Sequence, residues 1–428
     1  MKKICGTGLA IIISLNASSQ TNSLQNWRNY NKNGINVFET PKGDTTGFKD
    51  LKVRIGGAFT QQFQNLSHSN TAATIIDANG KNINQLIEIG PGFNLATANL
   101  NLDVQLADGI RMNLITFMSS RHHPETWVKG GYLQFDKLSF LKSKFVDKLM
   151  NYLTIRGGHY EINYGDAHFR RSDNGNTIYN PFVESYIMDA FTTEIGGEIF
   201  FQHKGWLAMA ALTNGEIQGA VTNLTKRNPA FIGKIGYDKQ LAKDLRFRLT
   251  SSVYTTAGSV NNTLYGGDRS GSHYSLVMEN SLATTSTNAF SGRFNPGFNQ
   301  FVTAVVINPF IKFKGFELFG NFEQATGKSS IENTVRTWQQ IGIDAIYRFG
   351  KEEKFYLAAR YNKVNGKLLT YLTNATIERI QAGCGWFITK NILAKLEWVN
   401  QVYENFPEND IRNGGKFNGF MIEACVGF

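Results

Sequence analysis

The last twelve residues, FNGFMIEACVGF (417–428), end the chain on a strand-like pattern that decides the fold class. Counting back from the C-terminus, every second residue is apolar: Phe428, Val426, Ala424, Ile422 and Phe420. Chain ends are normally polar and frayed, whereas alternation at period two is typical of a strand with one apolar face. The stretch therefore predicts a terminal strand that is paired on an edge and lays one face against apolar surroundings.

The same alternation recurs along the chain in segments of about ten residues, as expected for half-apolar strands. LKVRIGGAFTQQF (51–63) and ILAKLEWVNQVY (392–403) are clear examples. The sixteen segment cores are 51–63, 93–106, 110–118, 127–135, 151–163, 188–202, 205–213, 230–237, 245–257, 299–312, 316–325, 335–349, 355–364, 377–388, 391–403 and 417–428. A content of 32 Phe, 16 Tyr and only eight Pro favours β structure in the same way.

The connections between these segments alternate between short turns and long polar loops. Short turns include ADG (107–109), HKG (203–205) and TKN (389–391). The long connections are 64–92, 164–187, 214–229, 258–298 and 404–416. This layout predicts an all-β fold, a transmembrane antiparallel β-barrel of about 16 strands over residues 51–428, with short periplasmic turns and long extracellular loops. A soluble sandwich or β-helix, with the apolar face inside, is the alternative.

Two further segments stand apart from the strand pattern. DKLSFLKSKFVDKLM (136–150) falls on the short-turn side and has the pattern of an amphipathic helical turn. The N-terminal residues 1–19 combine Lys2 and Lys3 with an apolar run and small residues before Gln20, which predicts a signal peptide. Residues 20–50 are polar and predict a flexible periplasmic lead-in or a partner-binding tail. Export argues against nucleic acid as a partner despite a pI near 9.3.

If the apolar phase of each strand faces lipid, the opposite phase faces the lumen. Eleven basic residues fall on that phase: Lys52, Arg54, Arg111, Lys234, Arg246, Arg248, Arg336, Arg348, Arg360, Arg379 and Lys395. Six acidic residues share it: Asp103, Glu194, Glu198, Asp344, Glu397 and Glu423. A basic surplus would draw anions into a pore, whereas a wall of neutralised pairs would show no selectivity.

The most distinctive connection follows the fifth strand segment and is therefore the third loop on the long-loop side, here called the third long loop, with the sequence NYGDAHFRRSDNGNTIYNPFVESYIMD (163–189). Folded inwards, it would narrow the lumen, and its adjacent arginines would present forked donors to phosphate or carboxylate. The alternative is a surface loop held by its own Asp–Arg pairs. The candidate pore and constriction residues are His168, Arg170, Arg171, Arg54, Arg111, Arg246, Arg248, Arg348, Arg360 and Arg379.

That loop, the stretch NPGFNQFVTAVVINPFIKFKGFELFGNFEQATGK (295–328) and the ending WFITKNILAKLEWVNQVYENF (386–406) with residues 417–428 together resemble the phosphate-selective porin O/P family of Gram-negative outer membranes. The resemblance implies a 16-stranded barrel, commonly trimeric, with an inward-folded third loop and arginines along an anion path. It also implies that Phe428, with Val426 and Phe420, is read by the barrel-assembly machinery. The lumenal lysine cluster of that family has no evident counterpart in this sequence.

The sequence lacks the motifs of the common catalytic and cofactor sites. No G-x-S-x-G, P-loop, H-E-x-x-H or C-x-x-C occurs, and the adjacent His122 and His123 are better explained by a solvated loop than by a metal site. We therefore expect no enzyme activity, no cofactor and no metal.

Three functions remain open from the sequence. The first is an outer-membrane porin for passive diffusion of small hydrophilic, anionic (phosphate-like) solutes. The second is a non-conducting barrel that serves as a structural or accessory subunit of a membrane complex, with residues 258–298 plugging the lumen or meeting a partner. The third is a lipid-modifying enzyme. The expected partners are outer-membrane lipid, the barrel-assembly machinery, anionic solutes, and either a homotrimer or other outer-membrane proteins.

Overall fold

A computed structural model describes most of the 428-residue chain. The described residues are 24–40, 42–43, 46–120, 126–217, 227–259, 261–266, 271–369, 371 and 373–428. The predicted signal peptide (1–19) and the pair His122 and His123 lie outside them.

Sixteen long antiparallel strands form one closed sheet, which confirms the predicted transmembrane-type β-barrel. They are β1 (Lys52–Ser69), β2 (Thr97–Ala107), β3 (Ile110–Ser119), β4 (Thr126–Phe135), β5 (Leu153–Glu161), β6 (Thr193–His203), β7 (Trp206–Thr213), β8 (Ala230–Ala242), β9 (Leu245–Thr256), β10 (Phe301–Phe313), β11 (Phe316–Lys328), β12 (Arg336–Phe349), β13 (Phe355–Lys367), β14 (Asn374–Thr389), β15 (Ile392–Glu404) and β16 (Lys416–Gly427). A two-residue strand, Gly92–Phe93, also pairs with β1. Each strand pairs with its sequence neighbour, as in an up-and-down barrel.

The barrel closes where the C-terminal stretch predicted it would. β16 pairs with β1 over twelve residue pairs, including Phe63 opposite Ile422, and Phe428 exchanges backbone hydrogen bonds with Gly57. Phe420 and Phe428 are each more than half exposed on the outer surface, whereas Met421 and Glu423 are buried inside. The terminal strand is apolar because it closes the sheet and faces outwards.

The outer surface is an apolar belt, and the polar side chains face inwards. Large exposed apolar side chains occur on nearly every strand, for example Ile55 on β1, Ile199 on β6 and Ile235 on β8. Aromatic residues near strand ends are exposed on this surface: Trp127, Trp206, Trp386, Tyr347 and Phe349. An apolar outer face with aromatic margins matches the hydrocarbon and interface of a bilayer, which excludes the sandwich and β-helix alternatives. Within the described residues, no helix is both long and apolar enough to cross a membrane.

The two ends of the barrel differ in the length of their connections. At the short-turn end, strands are joined by turns such as 108–109, 204–205 and 390–391. Its longest connection contains a 3-10 turn (Ser139–Leu141) and helix α1 (Lys144–Met150), which begins where the Ser143 hydroxyl accepts a hydrogen bond from the Val146 amide. The helical turn predicted for 136–150 is therefore confirmed. The opposite, long-loop end carries the extended connections.

Strand boundaries differ from the predictions by up to six residues: β1 runs to Ser69 rather than to residue 63, and β8 runs to Ala242 rather than to residue 237. A similar difference occurs next to the third long loop. β6 begins at Thr193 rather than at residue 188. The Met188 amide instead donates to the side-chain oxygen of Gln340 on β12 across the lumen, at 2.9 Å. Alternation continues into the loop because the loop is also buried, so periodicity alone does not mark where pairing stops.

The N-terminal residues differ most from expectation. The sequence predicts a flexible lead-in for residues 20–50, but in the structure residues 24–40, here called the lumenal segment, lie inside the barrel. Phe38 is only 3% exposed, and the Asn36 side chain donates to Glu317 on β11 at 2.8 Å. The segment is polar because the barrel wall that surrounds it is polar, and composition alone cannot distinguish that wall from water.

Candidate solute pathway in the barrel lumen

Inward-facing charged side chains pair across neighbouring strands and line the lumen. Arg360 on β13 contacts Asp344 on β12 at 2.6 Å, and Arg348 on β12 contacts Glu317 on β11 at 2.7 Å. Lys395 and Glu423 form a similar pair between β15 and β16 at 2.7 Å. Buried charges require such partners, because an unpaired ion away from water is strongly destabilising.

The predicted basic surplus is absent from the fully buried residues. Among buried residues in the described parts of the chain, fourteen are acidic and ten are Lys or Arg. The prediction counted strand residues only, whereas the loops that fold inwards contribute acids such as Asp166, Glu184 and Asp189. The fully buried residues therefore show no excess of positive charge, and the lumen-wide surplus stays a prediction.

The third long loop crosses the lumen at mid-height. On one side, Asn174 donates to the Asn99 side chain of β2 at 2.9 Å. On the other side, the Val183 amide donates to Glu397 on β15 at 2.8 Å, and the Ile187 amide donates to Asn362 on β13 at 2.7 Å. The loop thus lies inside the barrel rather than on its surface.

Asp166 fixes the start of this loop to the barrel wall. Its carboxylate contacts both Arg248 on β9 and Lys234 on β8 at 2.7 Å, and it accepts a hydrogen bond from Thr250 at 2.8 Å. Burial would raise the pKa of Asp166, but Arg248 and Lys234 outweigh it and lower the pKa to about 2. The carboxylate is therefore ionised at neutral pH and locks the loop to two cationic side chains.

The connection 258–298 between β9 and β10, which is the fifth loop at the long-loop end, fills the lumen above the third. The Tyr274 hydroxyl donates to Glu397 at the wall, and Arg293 contacts Asp189 of the third loop at 2.8 Å. Apolar residues of this loop, among them Val277 and Phe294, join a buried cluster with strand residues such as Trp338. The described residues of 258–298 thus take the plugging position that the sequence allowed for them.

A cavity of about 250 Å³ remains between the lumenal segment, the third loop and the wall formed by β2 to β6. Its basic lining side chains are Arg28, Arg111, Lys129, Arg156 and Arg171, and its acidic ones are Glu39, Glu161 and Asp173. Aromatic rings alternate with these charges: Trp27, Tyr30, Tyr132, Tyr160, Phe169 and Tyr179. The lining reaches from the short-turn end, near Arg111 and Gln134, to mid-height at Lys129 and Thr193.

The guanidinium groups at the cavity are held by carboxylates and ring faces. Arg111 contacts Asp136 at 3.1 Å and lies 4.8 Å from the centre of the Trp27 ring. Arg156 pairs with Glu198 and lies 4.9 Å from the Tyr132 ring centre. Stacking on rings fixes a guanidinium plane without consuming its charge. The cavity therefore presents oriented cations to a solute.

Three of the ten predicted pore residues line this cavity: His168, Arg111 and Arg171. His168 lies between Glu161 and Asn163, and burial lowers its pKa although Glu161 acts in the opposite direction. Arg171 forms a forked pair with Asp189, with a shortest contact of 2.5 Å.

The other seven predicted residues hold the wall and the loops instead. Five of them pair with a carboxylate of the wall or of a loop: Arg54, Arg246, Arg248, Arg348 and Arg360. Arg170 contacts Glu317 at 3.6 Å. Arg379 donates to the carbonyls of Ser185 and Gly292 at 2.8 Å. A pore role for these seven residues stays a prediction.

Sequence reasoning missed Lys129, Arg156 and the lumenal segment as parts of the cavity. Arg156 could have been found, since Leu153 and Ile155 of its strand occupy the opposite, outward phase. Lys129 could not, because a β-bulge breaks the alternation: Ile115 pairs with Gly130 and Thr116 with Val128, so the register skips Lys129 and its side chain turns inwards. Trp27 precedes the first strand and carries no periodic signal.

The described residues offer no evident metal site, since no three His, Cys, Asp or Glu side chains among them are grouped to hold an ion. Cys384 and Cys425 are unbonded thiols, of which Cys425 is buried.

Known structures with the same architecture are bacterial outer-membrane proteins. An outer-membrane channel of Acinetobacter baumannii, DcaP, matches with a TM-score of 0.55 at 11% identity, over 89% of this chain and 99% of the other. An anion-selective porin from Comamonas acidovorans matches with a TM-score of 0.52 at 11% identity, over 89% of this chain and 100% of the other. A loop-deleted OmpT, an outer-membrane protein of Vibrio cholerae, matches with a TM-score of 0.50 at 10% identity, over 89% and 100%.

No family model and no curated protein matches the sequence. The structural matches establish a fold of the outer-membrane porin and channel type, and no closer relationship. The resemblance to the phosphate-selective porin O/P family stays a prediction.

Proposed function

We propose that the protein is an outer-membrane porin-type channel that passes small hydrophilic anions, phosphate-like ones included, along the cavity beside β2 to β6. The observation that supports this most directly is the cavity lining, where five Lys or Arg side chains face three acids, while the carboxylates of Asp136, Glu198 and Asp189 that pair three of them lie outside the lining. In a confined, low-dielectric passage such a local excess concentrates anions. The anion-selective porin among the structural matches has the same fold and is consistent with the proposal.

Phosphate-like solutes suit the form of the lining. Arg111, Arg156 and Arg171 carry planar guanidinium groups that match two oxygens of a phosphate or carboxylate at once. Each of these arginines is already paired with a carboxylate, so a passing anion replaces that carboxylate as the partner of the guanidinium group and does not meet an unpaired cation. Such exchange permits binding that is weak enough for release, as conduction requires.

A second candidate, a non-conducting accessory barrel, is favoured by a different observation. Lumens of diffusion porins are polar and water-filled, whereas here the third and fifth loops build an apolar cluster inside the barrel. A lumen filled in this way would brace the barrel as a scaffold for partners.

Planar-bilayer recordings separate the two functions. Stable single-channel steps, with a reversal potential that favours anions in a salt gradient, are expected for the channel. Millimolar phosphate should reduce the chloride current if phosphate-like solutes occupy the path. Silence of the refolded protein, verified as a folded barrel by heat-modifiable gel mobility, would support the accessory function. Stable steps with cation preference would contradict the anion pathway.

A further inference from the structure

The lumenal segment, residues 24–40, spans the barrel interior from wall to wall. The Tyr30 hydroxyl donates to Asp103 on β2 at 3.1 Å, and the Asn36 side chain donates to Glu317 on β11 at 2.8 Å. β2 and β11 are nine strands apart in a closed sheet of sixteen long strands, and they therefore lie on nearly opposite walls. The segment is a crossing of the lumen and not a strip along one side.

This crossing lies at the short-turn end. The Gln25 side chain accepts a hydrogen bond from the Gly109 amide, in the turn between β2 and β3, at 3.1 Å. The Lys32 amide donates to the carbonyl of Lys390, in the turn between β14 and β15, at 2.8 Å. Contacts to turns on two sides of the barrel put the segment across the opening that these turns surround.

The wall is shaped to receive the segment. A methyl group on Gly56 of β1 would overlap the Tyr30 ring, and one on Gly427 of β16 would overlap the Tyr30 carbonyl oxygen. Phe38 packs edge-on against Phe310 of β10, with ring centres 5.4 Å apart. Such fitted packing on both walls indicates a defined seat.

The segment is held without being part of the sheet. Glu39 contacts Arg248 at 2.7 Å and Lys234 at 2.9 Å, while none of the described residues 24–40 belongs to a strand. Its attachments are side-chain contacts and single backbone hydrogen bonds, among them those from Arg246 and Tyr179 to its carbonyl oxygens. None of them belongs to the barrel ladder, so release of the segment does not require the strands to separate.

We propose that residues 24–40 are a resident plug that closes the short-turn end of the lumen and sets the size limit of the channel. The inference rests on the proposed channel function. Six residues of the segment, from Trp27 to Thr40, form one side of the 250 Å³ cavity. Releasing the segment therefore joins the cavity to the space that the segment fills and widens the path at its narrow end.

A double substitution tests the plug directly. Phe38→Asp with Glu39→Lys places charge in the aromatic seat and sets a lysine against Arg248 and Lys234. Single-channel conductance should rise about threefold or more, because the open cross-section increases, and liposomes should become permeable to larger neutral sugars. Asn33→Ala, at an exposed position of the same segment, is the matched control and should behave as the wild type. Deletion of residues 24–40 tests the same effect without introducing buried charge.

A reversible lock distinguishes plug release from general loosening of the barrel. The backbone hydrogen bond between Lys32 and Lys390 brings these residues within reach of a disulfide. Lys32→Cys with Lys390→Cys, added to the double variant after Cys384 and Cys425 are replaced by alanine, should give low conductance when oxidised and high conductance when reduced.

Each outcome bears on a different part of the argument. If conductance is high in the reduced form and low in the oxidised form, the plug is supported. Equal conductance of wild type, released and deleted proteins, all folded by gel mobility, would overturn the plug and leave the channel function intact. The thiol introduced by Lys32→Cys reports release of the segment when it reacts with a water-soluble reagent. If this thiol reacts and every variant is still without conductance, the channel function is overturned, and with it the role of the plug.

Discussion

At the scale of single residues, buried charge decides which lumenal contacts hold. Asp166 and Glu39 share two cations, Arg248 and Lys234, at distances of 2.7 to 2.9 Å. This cluster ties the third loop and the lumenal segment to the same two strands. Arg246, two residues along β9 and on the same face, pairs with Asp238 where both side chains are partly exposed, and it donates to the Asn36 carbonyl of the lumenal segment at 2.8 Å. Both arginines thus hold the segment, but only the carboxylates that meet Arg248 include two that are nearly fully buried.

Removing Arg248 should therefore cost far more than removing Arg246. Arg248→Ala leaves two buried carboxylates with one cation, which we expect to lower the free energy of unfolding by about 3–5 kcal/mol. Arg246→Ala removes a partly exposed pair and one hydrogen bond to the lumenal segment, and should cost about 1–2 kcal/mol. Urea unfolding in lipid vesicles, followed by tryptophan fluorescence, measures both values. Equal losses in the two variants would contradict the assignment of Arg248 to the buried network.

The pKa of Glu39 gives the docked segment a pH dependence. Burial raises this pKa, but Arg248 and Lys234 outweigh burial and hold it well below the ordinary value of 4.5. A carboxyl whose pKa is lowered on docking stabilises the docked state above its ordinary pKa, and this stabilisation is lost as the pH falls towards the docked value. We expect constant single-channel conductance from about pH 8 to 5 and a rise below about pH 4.5.

Glu39→Gln is the control for this pH dependence. The amide cannot titrate, so the rise at acid pH should disappear from the conductance, although the segment is held less tightly at every pH. An unchanged acid response in the Gln variant would show that another group governs the transition. Asp166 would govern such a transition only at a lower pH, because its pKa is about 2.

At the scale of elements, the strands were readable from the sequence because lipid and lumen impose opposite polarities. All sixteen predicted segments coincide with long strands, and the turns follow from their polar, glycine-containing breaks. Alternation gave the wrong result at two places. At Lys129 a bulge interrupts the alternation and turns the side chain inwards. Residues 188–192 are largely buried but do not belong to a strand. Alternation reports the polarity of a face and not the presence of a hydrogen-bonded neighbour.

The closing strand makes the sharpest prediction at this scale. Phe428→Asp puts a charge on the outer surface next to the β1–β16 junction, where charge is unfavourable, and removes the aromatic end of the predicted assembly signal. We expect export without assembly, seen as loss of the heat-modifiable band and accumulation of soluble chain outside the inner membrane. Phe428→Tyr keeps the ring and should assemble normally. Normal assembly of the Asp variant would refute the role of this terminus.

At the scale of the whole molecule, the sequence predicted the barrel wall but little of what fills the lumen. The closed sheet follows from the number and polarity of the strands. The positions of the lumenal segment, the third loop and the fifth loop inside it depend instead on long-range contacts between single polar groups, such as the contact of Asn36 with Glu317. No periodicity encodes these contacts. The same limit applies to the charge of the lumen, since a count over the strands leaves out the acids that the inward-folded loops supply.

Because the fully buried residues carry no basic surplus, the proposed anion preference rests on the cavity lining. Lys129→Glu places a negative charge beside Asp173 and leaves four Lys or Arg against four acids among the lining residues. The reversal potential in a salt gradient should then shift towards cations. Lys351→Glu makes the same change in net charge in an exposed turn between β12 and β13 and should leave the reversal potential unaltered. If both variants shift it equally, the total charge of the protein rather than the cavity sets selectivity.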